Sequence, residues 1–218
     1  MADKTLAPQQ ARSRESTRKL MKAATEVLGQ HGLEGATIPR IAQHAGLTPG
    51  AIYRRFPDKD ALLETVIIAV LKRNDERLRM MFTPAMARQI PLAVFAEQLI
   101  NNMLVSYRAN AGLLRAFRQF TQGRDHTSFY KRVARLEMES FQYMVELFLE
   151  HRKQVKHPNP KVAVSFALAT LTSILIELIL VDHDMKNWQA VIPKDDASLK
   201  RELLRSFLSY LGIERKSR

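Results

Sequence analysis

Gly50 and Arg54 lie four residues apart, and a helix that turns Ile52 inward carries both on its outward face. An arginine so placed can donate two hydrogen bonds to guanine O6 and N7, and a glycine beside it lets the backbone close on a groove. Thr48, Tyr53 and Lys59 add a hydroxyl, a phenol and an ammonium that can hold phosphate oxygens. Phe56 falls beside Ile52 on the inner side, with Ala51 and Tyr53 on the shoulders. The chemistry on offer is non-covalent recognition of a duplex polyanion. Two amphipathic helices joined by a glycine also make a packed corner with no ligand, so the outward residues carry the argument.

Two short helices must position this face. Thr37 is an N-cap for a helix of about Ile38 to Ala45, and Thr48 followed by Pro49 supplies an N-cap and a first-turn proline for one of about Pro49 to Phe56. Ala42 gives a small crossing point, Gly46 gives a turn residue that accepts positive φ, and Ile41, Ala45, Leu47 and Ile52 close the inside. The segment of about 37–56 therefore reads as a helix-turn-helix. A preceding helix of about Arg14 to His31 buries Leu20, Ala24, Val27 and Leu28 and stops at Gly32. Arg12, Arg14, Arg18 and Lys19 on it form a basic flank.

The remainder is patterned for helices throughout, giving an all-α chain of about nine helices. A long stripe from Lys59 to about Met81 precedes a loop bracketed by Pro84 and Pro91. Helices follow around Phe95 to Leu104, around Leu113 to Phe120, from about His126 to His151, over Val162 to Val181, and around Leu199 to Leu211. With 218 residues and 46% hydrophobic side chains the chain is ample for a core, and disorder is excluded. The absence of cysteine removes disulfides, cysteine zinc sites and thiol nucleophiles. A net charge of +12 suits an anionic partner, although residues 1–59 hold 10 Lys+Arg and 5 Asp+Glu against 24 and 17 in the rest, so charge does not single out the first segment.

Residues 14–65 resemble the DNA-binding domain of the TetR (tetracycline-repressor-like) family of bacterial regulators. The likeness rests on Leu28 to Leu33, Ala36 to Phe56 and Lys59 to Leu63. It implies that Thr37, Thr48, Tyr53 and Lys59 contact phosphates, that Gly50, Ala51 and Arg54 approach bases, and that Pro49 opens the reading helix. It also implies a DNA-binding domain over 1–59 and a helical effector-binding and dimerisation domain over 60–218. The last two helices of such proteins pair with their copies, which makes Val164, Leu168, Leu171, Leu175, Leu203 and Phe207 interface candidates and suits a palindromic operator.

Met103, Tyr107, Phe117, Phe120, Phe129, Met138, Phe141 and Met144 could line a cavity for a small apolar or amphipathic effector, and at helical spacing they also fit an ordinary core. Arg115 and Arg118 could meet an acidic head group. Val162 to Val181 is long enough to cross a bilayer, but Thr170, Thr172, Ser173 and Glu177 are costly in lipid, so no membrane partner is expected. No apolar run of signal-peptide length opens the chain, which points to the cytoplasm. Asp182-His183-Asp184 and the pair His151 and His157 lack a recognised ligand spacing, so no metal or cofactor is expected. The sequence has no phosphate-cradling glycine loop and no nucleophile elbow, so no catalytic residues are assigned. The expected function is a homodimeric, ligand-responsive DNA-binding repressor. The competing reading is a lipid-handling or enzymatic helical module with a non-functional helix-turn-helix.

Overall fold

The computed structural model describes residues 6–180, 193 and 195–213, with side-chain surroundings from residue 14 onward. Among the described residues every regular element is helical: α1 (Leu6–Gly35), α2 (Ile38–Ala45), α3 (Pro49–Tyr53), α4 (Lys59–Met81), α5 (Pro84–Gln89), α6 (Leu92–Ala109), α7 (Ala111–Thr121), α8 (Ser128–Leu149), α9 (Pro160–Leu175) and α10 (Asp196–Tyr210). The expected all-α architecture holds, with differences at the ends of elements. α1 begins at Leu6 instead of about Arg14, since Pro8 falls in the first turn, where its missing N–H is not needed. α3 ends three residues early because Pro57 disfavours helical backbone at Phe56. The segment between Pro84 and Pro91, expected as a loop, contains α5, capped by Thr83, whose Oγ1 accepts from the Met86 N–H at 3.2 Å.

The chain divides into two compact units, Met1–Arg73 with Gly112–Ala134, and Asn74–Ala111 with Arg135–Arg218. In the first, Leu20, Ala24, Val27 and Leu28 of α1 are buried along with Ile38, Ile41 and Ala42 of α2 and Ile52 of α3. Gly32 breaks α1 at φ 66°, ψ −174°, a conformation essentially confined to glycine, and so turns the chain toward α2. α7 belongs to this unit through a close backbone approach: a Cβ on Gly112 would overlap the carbonyl oxygen of Gly29. Its outer end is fastened by Arg124, which pairs with Asp60 of α4 at 2.7 Å and lies over the Phe120 ring at 4.1 Å.

The second unit is organised around four phenylalanines in contact. Phe82 meets Phe95 edge to face at 5.9 Å between centroids, Phe95 meets Phe148 at 4.9 Å, and Phe148 meets Phe207 at 5.0 Å. These rings join the end of α4 to α6, α8 and α10, and edge-to-face pairs add about 0.5–1.5 kcal/mol each beyond the area they bury. Asp75 accepts from Arg79 Nε at 2.7 Å and Ser140 Oγ at 2.8 Å. Burial pushes its carboxyl up, and these two hydrogen bonds more than offset that, holding it below the usual carboxylate range.

α9 continues into a π-helical turn, Ile176–Leu180. Pro160–Leu180 is long and apolar enough to cross a bilayer by length and composition alone. Its Ala163, Val164, Ala167, Leu168, Leu171 and Leu175 are buried, and α10 contacts α9 while α6 contacts the π turn. Among the described residues no three His, Asp or Glu side chains gather as a metal site, and Asp182-His183-Asp184 lies outside those residues.

Candidate nucleic-acid interface

Both turns of the helix-turn-helix are built from caps. Thr37 Oγ1 accepts from the Arg40 N–H at 3.4 Å and Thr48 Oγ1 from the Ala51 N–H at 3.2 Å, fixing the starts of α2 and α3. Gly46 closes α2 at φ 65°, ψ 36°, with the Leu47 N–H donating to the Ala42 carbonyl at 2.9 Å, which is the left-handed stop expected of that glycine. Ile52 is fully buried beneath α3, and the Phe56 N–H still reaches the Ile52 carbonyl at 3.0 Å, so one further turn follows the helix proper.

On this base Pro49, Gly50, Tyr53 and Arg54 are exposed, Tyr53 by 54%, and nothing stands within 4 Å of where a Gly50 side chain would begin. No ion pair holds Arg54 among the described residues, so all its N–H groups are available. Ala51 is only 8% exposed and sits under this surface. Thr37 and Thr48 are exposed and keep their hydroxyl hydrogens free to donate while their oxygens cap.

Lys59 differs from a free surface cation. Its Nζ donates to the Leu33 carbonyl at 2.9 Å and it is half-buried, which leaves two N–H groups for a phosphate and ties the start of α4 to the end of α1. Two further contacts to α1 brace the site, and periodicity could not have singled them out. Arg55 donates to the Ala51 carbonyl at 2.8 Å and to Ser16 Oγ at 3.3 Å, strapping α3 onto α1. His44 meets Glu26 at 2.8 Å, linking α2 to α1, and that hydrogen bond holds the Glu26 carboxyl below the usual carboxylate range. On the basic flank Arg14 and Lys19 are exposed and Arg18 is paired with Glu15 at 2.8 Å, while the side chain of Arg12 lies outside the described residues.

A capped pair of helices with a supported, open Gly50–Arg54 face is matched by the family model "Bacterial regulatory proteins, tetR family" over residues 20–66. Residues 20–66 thus match the DNA-binding domain of the tetR family. The uncharacterized HTH-type transcriptional regulator TtgW of Pseudomonas putida is 37% identical over 74 residues, 34% of this chain and 52% of its own length. SrpR of Pseudomonas putida, another HTH-type transcriptional regulator, is 37% identical over 74 residues, 34% of this chain and 33% of its own length. The chain thus spans about half of one curated relative and a third of the other.

The tetR-type fold extends over almost the whole chain. A structure from Mesorhizobium loti assigned to the TetR family superposes at a TM-score of 0.72, covering 92% of this chain and 97% of its own at 17% identity. The transcriptional regulator FadR from Bacillus subtilis, solved in complex with stearoyl-CoA, superposes at 0.64, covering 89% and 98% at 14% identity. The chain accordingly carries a helix-turn-helix of the tetR type on a helical fold shared with these structures.

The effector candidates separate between the units. Phe117, Phe120 and Phe129 are buried in the first, where Phe120 and Phe129 meet edge to face at 5.7 Å. Met103 is buried in the second, Tyr107, Phe141 and Met144 are half-buried there, and Met138 is 54% exposed. Arg115 and Arg118 are exposed, on the side of α7 away from Leu113, Ala116, Phe117 and Phe120.

The six interface candidates are all buried within the chain itself. Leu171, Leu203 and Phe207 floor a groove between α9 and α10 that Phe166, Thr170, Ile174 and Tyr210 rim, whereas Val164, Leu168 and Leu175 are not part of it. Phe166 and Tyr210 are 57% and 43% exposed, with rings 5.3 Å apart.

Proposed function

We propose that this protein is a homodimeric, ligand-responsive repressor that reads a palindromic operator through α3. The observation that carries the reading is the open Gly50–Arg54 face, held by two threonine caps over a buried Ile52. Arg54 takes a guanine, Gly50 lets α3 approach the groove floor, and Thr37, Thr48, Tyr53 and Lys59 hold phosphates on either side. A two-fold dimer places two such helices about one duplex turn apart, roughly 34 Å.

The α9/α10 groove supports the dimer. An exposed Phe166 and Tyr210 over an apolar floor are an unpartnered face on one subunit and a self-complementary seam between two. Phe166→Glu is expected to convert the dimer to monomer in sedimentation velocity; a dimer that survives the charge puts the interface elsewhere. The effector is a small apolar or amphipathic molecule taken by the second unit around Met103, Tyr107, Phe141 and Met144. Its binding favours a dimer whose two reading helices no longer match successive major grooves, which requires different affinities for the two conformations.

The test is selection of genomic fragments by purified protein, followed by titration of the enriched duplex. Arg54→Ala is expected to cost about 1–3 kcal/mol on the selected site and to relax base preference, while Lys59→Ala weakens selected and scrambled duplexes alike and lowers the salt slope by about one. Equal losses on both duplexes for Arg54→Ala would remove its base-reading role. Failure of the wild type to enrich any site, with lipid co-eluting, would favour a lipid-handling module.

A further inference from the structure

We propose that the corner between α7 and α8 is a second DNA-backbone contact, which rests on the reading that the chain binds DNA and adds a surface outside the helix-turn-helix. The compact unit that holds α2 and α3 also holds Gly112–Ala134, and this shorter piece is its most basic part. Residues 1–73 carry 12 Lys+Arg against 7 Asp+Glu, and residues 112–134 carry 5 against 1. Together they hold +9 of the chain's +12. Charge that looks evenly spread along the sequence is therefore concentrated in the DNA-binding unit once the chain is folded.

The corner is fastened by two contacts beside a residue assigned to phosphate. Phe120 at the end of α7 packs edge to face on Phe129 at the start of α8. Arg124 between them is held by Asp60 at 2.7 Å, and Asp60 directly follows Lys59 in the first turn of α4. Arg124 is thus engaged as a pin, and the cations left for a partner are its neighbours. Arg118 stands one turn before the end of α7, and Lys131 and Arg132 stand in the first turns of α8. All three are exposed, and none has an ion-pair partner among the described residues.

The partner that fits is a duplex extending beyond the base-reading site. Exposed cations without an ion-pair partner release condensed counterions from DNA without reading its sequence, so they raise affinity for any duplex and steepen its dependence on salt. Their contribution is equal on selected and unselected sequences, which separates it from that of Arg54.

The experiment uses the full chain and a mixed-sequence 40-base-pair duplex, with anisotropy titrations from 50 to 200 mM salt. The Arg118→Ala/Lys131→Ala/Arg132→Ala variant is expected to lose about tenfold in affinity at the midpoint of that range, and its log–log salt slope is expected to fall by on the order of one unit for each phosphate contact removed. Arg118→Lys/Lys131→Arg/Arg132→Lys keeps every charge and is expected to keep the wild-type slope. An alanine variant that melts like the wild type and retains its slope overturns the second contact, as does an equal loss in both variants. If Arg54→Ala meanwhile loses base preference, the regulator reading stands without the corner. A wild type that binds no duplex at 50 mM salt overturns both.

Discussion

Phe95→Ala is expected to cost about 3–5 kcal/mol of folding stability, the range for deleting a fully buried aromatic side chain. Phe95 is 0% exposed and touches two rings of the four-phenylalanine chain, Phe82 on one side and Phe148 on the other, with His151 at 6.3 Å. Removing it leaves a cavity bounded by α6, α8 and the end of α4, and side chains fixed on three helices close such a void only in part. In a chain of this size the loss corresponds to a fall in melting temperature of roughly 6–20 °C. Urea unfolding followed by circular dichroism measures it. A loss below about 1 kcal/mol would mean that the neighbouring rings collapse into the space and that the chain of rings is not the keystone of this unit.

Gly112→Ala is expected to destabilise by about 1–3 kcal/mol, against the usual sign of a glycine-to-alanine change in a helix. Alanine at this second residue of α7 gains up to about 1 kcal/mol in propensity, but its methyl group overlaps the Gly29 carbonyl oxygen, a backbone atom that cannot rotate aside. Gly29→Ala is the matched control. Its Cβ would lie 3.7 Å from Leu113 Cβ, an ordinary contact, so it is expected to be neutral or mildly stabilising. Thermal melts of the two variants side by side decide the matter. A Gly112→Ala protein more stable than the wild type would show that α1 and α7 are free to separate.

The helix-turn-helix was legible because its determinants are local. Caps, a first-turn proline, a left-handed glycine and inward Ile52 act within a few residues, so Thr37, Gly46, Thr48 and Arg54 stand where the sequence puts them. The same Thr-Pro signature at Thr83-Pro84 starts α5, and taking those prolines only as brackets hid that helix. Gly29 and Gly112 could not be paired from sequence, nor Arg124 with Asp60, because each contact joins residues more than sixty positions apart. Such pairs also decide which side of a helix is inward when most of its residues are apolar. That is why Leu168 and Leu175 on α9 read as partner-facing, while the open rim carries Phe166, Thr170 and Ile174.

The discontinuity of the first unit bears on the order in which the molecule is made. A ribosome releases Met1–Arg73 first, then Asn74–Ala111, which belongs to the other unit, and only afterwards Gly112–Ala134. At common elongation speeds the wait between Arg73 and Ala134 is roughly 3–12 s. During it the nascent helix-turn-helix has its own caps but lacks α7, and the part of α1 around Gly29 faces solvent. A nascent chain arrested after residue 73 is therefore an incomplete head, and release of residue 134 marks the earliest point at which the helix-turn-helix unit can close.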